Sequence, residues 1–349
     1  VFLLGSLAAG SMVLGARRRS QIIKAGFFAG VVQFITPVLL NPNKEFLLYE
    51  RFFTAYAASL IGNGIICAAI VAVSLPIFEY LFKVLTNISL LELADFNNPI
   101  LRKMITGAPG TYHHSLMVGN LAEAAANAIE ANSLLARVGA YYHDIGKIEK
   151  AEYFSENQSV EKSKHDRLHS TMSKMIILSH VKEGAELAKK YGLSPLLVDF
   201  IKQHHGTSLT HFFYWRALER SEVENKDIEK EEFRYPGPKP QKREIAIVLL
   251  ADSVEAATRT LEEPVSARIE ELVRKVINNK FIDGQLDECE LTLVDLDKIS
   301  ATFVKVLSAI YHSRVKYPEK KNGNNHNQPT EKTPPPEAAQ RPRAKNPGA

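Results

Sequence analysis

The sequence predicts an all-α chain in which membrane-spanning helices precede a helical domain on the cytoplasmic side. Three observations carry this expectation. Two segments, Ala25 to Asn43 and Phe52 to Phe78, contain no charged residue, and both approach or exceed the roughly 20 residues a helix needs to cross a bilayer. From about Lys83 to Tyr317, apolar residues recur at helical spacing. No convincing alternating strand interrupts them.

Val1 to Ala16 is also uncharged but short, and it opens in mid-pattern without a Met. It is expected to be a helix whose start lies upstream. Long uncharged runs favour insertion into a bilayer over a buried hairpin. Three such segments in succession, with Arg17-Arg18-Arg19 after the first rather than before it, argue against a signal peptide. Those arginines and Lys24 set the topology: the basic cluster is cytoplasmic, the stretch Asn41 to Arg51 faces outward, and the chain beyond Phe82 returns inside.

The later helices are expected over Met117 to Ile129, Leu134 to Tyr142, Met172 to Tyr191, Pro195 to Gln203, Glu244 to Leu261, Ala267 to Asn278 and Leu296 to Val315. Ser194-Pro195 and Glu263-Pro264 read as helix starts, with Pro in the first turn. Residues 223 to 243 are charged and then Pro-rich, and read as an ordered loop near the site. From Pro318 the composition turns to Pro, Asn, Lys and Gln, which predicts a disordered tail.

The formal charge of +4 on 349 residues is too small to argue for a nucleic-acid polymer as partner, although one basic cleft can still attract an anionic substrate. Cys67 and Cys289 lie far apart in unlike surroundings, which argues against a disulfide framework or a cysteine-based zinc site. The compartment expected for the soluble part is reducing cytoplasm.

The chemistry concentrates in Tyr141-Tyr142-His143-Asp144-Ile145-Gly146-Lys147. An imidazole beside a carboxylate at the end of an apolar helix aims one nitrogen and two oxygens at a common point. His113-His114 stand upstream, His180 and His204-His205 downstream, and Asp252 ends the apolar run Ile245 to Ala251. Imidazole and carboxylate donors suit Fe, Mn or Zn, and a shared carboxylate can bridge two ions. A second pair, His165-Asp166, sits among Lys162, Lys164 and Arg167 without a following Gly-Lys, and reads as a solvated decoy.

Taken in order, His114, His143-Asp144, His180, His204-His205 and Asp252 resemble the ligand pattern of the binuclear HD-domain metal phosphohydrolases. The words Gly110 to Ser115, Gln203 to Thr207, Phe233 to Pro240, Ala251 to Ala256 and Asp283 to Cys289 are similar to those of the PgpH-type seven-transmembrane HD proteins of bacteria. The resemblance runs to about Pro318. It departs at Lys162-Ser163-Lys164-His165-Asp166, where relatives usually carry Asn-Pro before the His-Asp, and this touches only a loop near the site.

The fold class this implies is all-α: C-terminal transmembrane helices followed by a cytoplasmic helical HD domain. Residues 1–82 would be the truncated end of a seven-helix region in the bacterial plasma membrane, 83–317 the HD domain and 318–349 the tail. The implied activity is hydrolysis of cyclic di-AMP to pApA by a metal-activated hydroxide. The implied cofactors are two divalent transition-metal ions, Mn or Fe. Asp144 would bridge them, with His114, His143 and Asp252 on one ion and His180, His204 and His205 on the other.

Lys147 follows Asp144 by three residues and is assigned to the substrate phosphate, as charge stabilisation in the transition state; the plainer alternative is a lysine at a helix end. His113 points roughly 100° from His114 on a helix and is expected to face substrate or support a ligand. Thr207, Arg234 and Tyr235 are candidates for the nucleotide pocket, which needs donors and stacking surfaces. Partners are then a cyclic dinucleotide and the lipid bilayer, with a homodimer left open by the linker Val84 to Asn98. Two alternatives stand beside the first function: an HD hydrolase for another cyclic dinucleotide or nucleotide, and a nucleotide-binding receptor without catalysis.

Overall fold

Helices and helical turns make up nearly all regular structure in the computed structural model, which describes residues 1–16, 18–40, 50–82, 84–158, 164–224 and 229–312. The exception among these residues is one isolated bridge, Leu209 to Arg234. The expected tail at 318–349 lies outside the described residues, as does 41–49, most of the stretch expected to face outward.

Three apolar helices come first: α1 (Phe2–Val13), α2 (Arg19–Leu40) and α3 (Glu50–Phe82). The all-α class holds, but the expectation of C-terminal transmembrane helices does not. The apolar helices occupy the amino-terminal end of the chain, and the other helices lie C-terminal to them. The physical reason is charge: the long uncharged runs all fall within the first 82 residues, and the later helices, apart from the buried centre of the domain, carry charged faces beside apolar ones. The expected order reflects the helices' place in a longer relative.

Two of these helices, Arg19–Leu40 and Phe53–Phe82, are long and apolar enough to cross a membrane. At 1.5 Å per residue α3 spans roughly 50 Å, more than the hydrocarbon core requires. Helices α2 and α3 cross closely because Gly26 faces Gly64; a Cβ on either would strike the other's main chain. Small residues at such crossings let apolar helices pack by van der Waals contact.

The junction with the rest of the chain is helix α4 (Asn87–Leu93). Ile88 is buried against Ile22 and Ala68. Glu79 accepts from Thr86 N at 2.9 Å and from the Ser89 hydroxyl at 2.7 Å, and Arg19 pairs with Glu92 at 2.7 and 2.9 Å. The linker expected at Val84 to Asn98 is thus helical over its middle, Asn87–Leu93. Asn98 then caps α5 (Pro99–Gly107), its side chain accepting from Ile100 N at 3.2 Å.

The remaining helices are α6 (Pro109–Ala128), α7 (Ser133–Tyr142), α8 (Ser170–Lys190), α9 (Pro195–Gln203), α10 (His211–Glu224), α11 (Arg243–Thr258), α12 (Ser266–Ile282) and α13 (Leu293–His312). The periodic segments read from the sequence fall on them, with two differences: α12 starts at Ser266, behind Val265 rather than at Pro264, and α10 has no counterpart among the expected helices. Its clustered aromatics, Phe212 to Trp215, blur the apolar period. Helix α11 forms the centre, with Ile245 to Ala251 buried on all sides, as expected of a helix that is apolar all round. Helices α6, α7, α9 and α12 pack around it. That arrangement points α6, α7, α8, α9 and α11 at one place.

Candidate metal centre

Helix α7 stops at His143, and Asp144 leaves helical geometry before a 3-10 segment, Ile145–Tyr153, begins. In a 3-10 turn, side chains at i and i+3 eclipse, which sets Lys147 Nζ 2.6 Å from Asp144 Oδ2. Gly146 matters here for closeness: a Cβ at this position would collide with the His180 carbonyl and come 2.6 Å from Gly184 N. Glycine lets α8 lie against the segment, and His180 reaches Asp144 for that reason.

The two oxygens of Asp144 face different groups. Oδ2 lies 3.5 Å from His114 Nε2 and 3.2 Å from His143 Nε2; Oδ1 lies 3.4 Å from His180 Nε2 and 3.6 Å from His204 Nε2. Asp252 Oδ1 is 3.0 Å from His114 and 3.9 Å from His143, and its Oδ2 is 3.5 Å from His205 Nδ1. All seven side chains singled out in the sequence as metal-ligand candidates therefore converge. Their donor atoms form two overlapping groups able to hold a cation, one of His114, His143 and Asp144, the other of Asp144, His180, His204 and His205.

Three of the imidazoles are oriented by the main chain. Nδ1 of His143, His180 and His204 meets the carbonyls of Ala140, Ile177 and Ile201 at 2.6, 2.5 and 2.8 Å, leaving each Nε2 directed at the centre. Helical geometry supplies these partners three residues earlier in the chain.

Burial governs the electrostatics. It pushes the His180 imidazole down to about 3, with Asp144 opposing the shift, and it lowers His204 and His205 as well, so these rings are neutral and present lone pairs. Asp144 stays well below the usual carboxylate range: burial alone would raise it, but the Lys147 ammonium and the surrounding imidazoles outweigh that penalty. Against the same burial, Asp252 is lowered by its hydrogen bond with His114. Burial would depress His114, but Asp252 and Glu255 overcome it and hold this imidazole at about 10. In spite of its own burial, Lys147 is raised by Asp144 and Glu156.

The residues fit a metal. Both Asp144 oxygens and His143 Nε2 are buried without a hydrogen bond of sound geometry among the described residues. Four carboxylates, Asp144, Asp252, Glu156 and Glu255, gather here with two permanently cationic side chains, Lys147 and Arg259. The net negative charge and the imidazole-rich donor set are what a first-row divalent ion needs.

A cavity of about 700 Å³ opens on this cluster, a volume in the range of small-molecule sites. Lys147 and Tyr235 line it, and Tyr235 stacks on His205 with ring centroids 4.2 Å apart. His113 packs beside Tyr112 and does not line it. Thr207 and Arg234 form a brace behind the His204-His205 turn: Arg234 donates to Thr207 O at 2.8 Å and pairs with Asp283 at 2.8 Å, while Thr207 N donates to Gln285 at 2.8 Å. The Pro-rich stretch does reach the site through Tyr235; residues 225–228 within it lie outside the described residues.

His165 corrects the reading of a solvated decoy. It is buried and lines the cavity, with Nε2 2.7 Å from the Tyr153 carbonyl, while Asp166 alone stays exposed. Sequence reasoning also passed over Glu156, Glu255 and Arg259. Glu156 holds Lys147 at 3.0 Å and accepts from Thr111 at 3.1 Å. Glu255 lies three residues after Asp252, on one face of α11, and that spacing is the signal by which it could have been found.

Comparison with known proteins agrees with this geometry. Residues 111–257 match the HD domain family, and residues 1–86 match the family described as a 7TM receptor with intracellular HD hydrolase. The chain is 44% identical over 320 residues to the cyclic-di-AMP phosphodiesterase PgpH of Bacillus subtilis, covering 91% of this chain and 44% of that protein. It is 43% identical over 314 residues to PgpH of Listeria monocytogenes, covering 87% and 42%. The chain thus spans less than half the length of these relatives. A crystal structure of the L. monocytogenes PgpH HD domain in complex with cyclic-di-AMP matches with a TM-score of 0.60 and 47% identity, over 62% of this chain and 100% of that one. The chain belongs to the HD-domain hydrolases, in the PgpH-type branch that joins an HD domain to membrane helices.

Proposed function

We propose that this chain is a membrane-anchored, metal-dependent phosphodiesterase that hydrolyses cyclic di-AMP to pApA. The observation that carries the proposal is the division of Asp144, one oxygen toward His114 and His143 and the other toward His180 and His204, next to a cavity that His114, His180, His205 and Asp252 line. The relatives' name and the solved complex of one of them with cyclic-di-AMP support the choice of substrate. Residues 1–82 would be the anchor and 83–317 the HD domain, facing the cytoplasm by the charge of the arginine cluster at 17–19.

In this reading two divalent ions, Mn or Fe, would be held by Asp144 between them, by His114, His143 and Asp252 on one side and by His180, His204 and His205 on the other. Two such ions, when bound, neutralise phosphate charge and lower the pKa of a water so that a nucleophile exists near neutral pH. The chain's own residues do the rest. Lys147, kept protonated and pinned between Asp144 and Glu156, presents its ammonium to the cavity, where a phosphate oxygen gains charge in the transition state. Neutral His180, His204 and His205 keep their lone pairs for binding rather than for protons. Phe154, Phe213 and Tyr235 give the purines flat apolar surfaces and exclude water. Hydrolysis opens one phosphodiester of the ring: water adds to phosphorus, the 3′ oxygen leaves with a proton, and a linear dinucleotide with a terminal phosphate remains.

The test is product analysis with the full chain in detergent, given cyclic di-AMP, cyclic di-GMP or cyclic GMP-AMP, each with Mn and with a chelator. Chelator-sensitive pApA formed preferentially from cyclic di-AMP is the expected result. Absence of turnover of all three by metal-loaded protein overturns the proposal.

A further inference from the structure

One ligand candidate differs from its neighbours in how it is held. His143, His180 and His204 lean on main-chain carbonyls of their own helices. His114 instead sets Nδ1 2.6 Å from Glu255 Oε2, a carboxylate supplied by α11 across 141 positions of sequence. Glu255 is buried at 5% exposure, and its two oxygens are divided. Oε2 takes His114, while Oε1 takes both Nε and an Nη of Arg259, at 2.7 and 2.6 Å. Arg259 in turn lines the cavity.

We infer that Glu255 is a positioning residue for the metal centre: with the proton assigned to Nδ1 of His114, it fixes the ring so that Nε2 faces Asp144 and Asp252, and Arg259 buttresses it. The inference rests on the metal-centre reading above and adds a residue that this reading does not contain. Three features carry it. A carboxylate partner on Nδ1 makes the opposite nitrogen a stronger donor than a carbonyl partner would. The contact crosses from α6 to α11, so it also sets the spacing between His114 and Asp252, which lies one turn earlier on the same face as Glu255. Arg259 occupies the second oxygen, so Glu255 cannot swing to bind an ion directly without breaking its pair with Arg259.

The consequence is an asymmetry between the two halves of the centre. In the half formed by His180, His204 and His205, the first two rings are held by backbone carbonyls, whereas in the other half only His143 is held that way and His114 depends on one side chain. Loss of such a partner typically lowers metal affinity about 10- to 100-fold. Glu255→Gln keeps the shape and removes the charge; Glu255→Asp keeps the charge and shortens the reach.

The experiment is Mn titration of the full chain in detergent, followed by calorimetry and by bound-metal analysis, for wild type, E255Q and E255D. The expected result is a wild type that takes up two ions, an E255Q protein in which one of them binds about 10- to 100-fold more weakly while the other is unchanged, and partial recovery in E255D. Circular dichroism of the metal-free proteins checks that all three are equally folded. If E255Q misfolds, Arg259→Met takes its place: it leaves the Glu255 to His114 contact but frees Oε1, and a smaller weakening confined to the same ion is expected. Equal affinity of both ions in wild type and E255Q overturns the role of Glu255, as does equal weakening of both ions. A wild type that binds no metal overturns the centre itself, a result distinct from the other two.

Discussion

Replacing Gly146 with alanine tests whether the metal centre is set by the closeness of two backbones. A Cβ at this position would lie 2.6 Å from Gly184 N and closer still to the His180 carbonyl, whereas ordinary contact begins at 3.4 Å. Helix α8 must therefore retreat by at least the difference, 0.8 Å from these two distances. His180 rides on that helix, with Nε2 now 3.4 Å from Asp144 Oδ1. Metal-ligand distances tolerate only about 0.2 Å, so the retreat exceeds the tolerance roughly fourfold. Overpacking of this kind costs about 1 to 3 kcal/mol, which for a domain of this size lowers the melting temperature by roughly 2 to 12 °C. A misplacement near 1 Å can cost about 100-fold in rate. The assay pairs a thermal melt with Mn titration of the full chain. A G146A protein that melts with wild type and binds Mn equally well refutes the reasoning, because α8 would then have found room without moving the ligand.

Three further outcomes are expected. Removing metal with a chelator should lower the melting temperature, since an ion present at about 100 times its Kd stabilises by about 2.7 kcal/mol; an unchanged melt would mean that no ion is held at the concentrations used. Tyr142→Phe removes the hydroxyl that donates to Leu93 O at 2.7 Å from a fully buried ring, so a loss of about 1 kcal/mol is expected by denaturant titration, with Mn affinity intact. Against a burial that would raise it, the pairing with Arg234 holds Asp283 below its ordinary value of 3.8. A carboxylate depressed on folding contributes stability above the unfolded value, and that contribution is lost as pH falls through the folded one. The difference in melting temperature between wild type and Asp283→Asn should thus be constant near neutrality and shrink below about pH 4; a gap that widens in acid would contradict the pairing.

Much of this architecture is local and readable residue by residue. The apolar period of α7, α8 and α9 follows from which side of a helix must leave water, and Ser194-Pro195 marks a helix start because Ser194 Oγ accepts from Leu197 N at 3.4 Å. The uncharged runs at 25–43 and 52–78 declare themselves by composition alone. His143-Asp144 and the more distant imidazoles stand out because their residue types and order carry the chemistry. Helices α4 and α10 escape such a reading, since one is short and the other crowds its aromatics on successive positions, so neither shows a period.

The sequence by itself determined the helical class, the apolar character of the first 82 residues and the set of side chains with metal-binding chemistry, because each depends on composition or on neighbours within a few turns. Only the tertiary structure decided what completes the site. Glu255 reaches His114 across 141 positions, Glu156 reaches Thr111 across 45, and His165 turns inward beside Tyr153 in spite of its charged neighbours. In sequence Glu156 is indistinguishable from a carboxylate on a solvated helix face, and Glu255 is marked only by its spacing from Asp252. What distinguishes them is burial and an opposing charge brought from another helix, and packing alone supplies both.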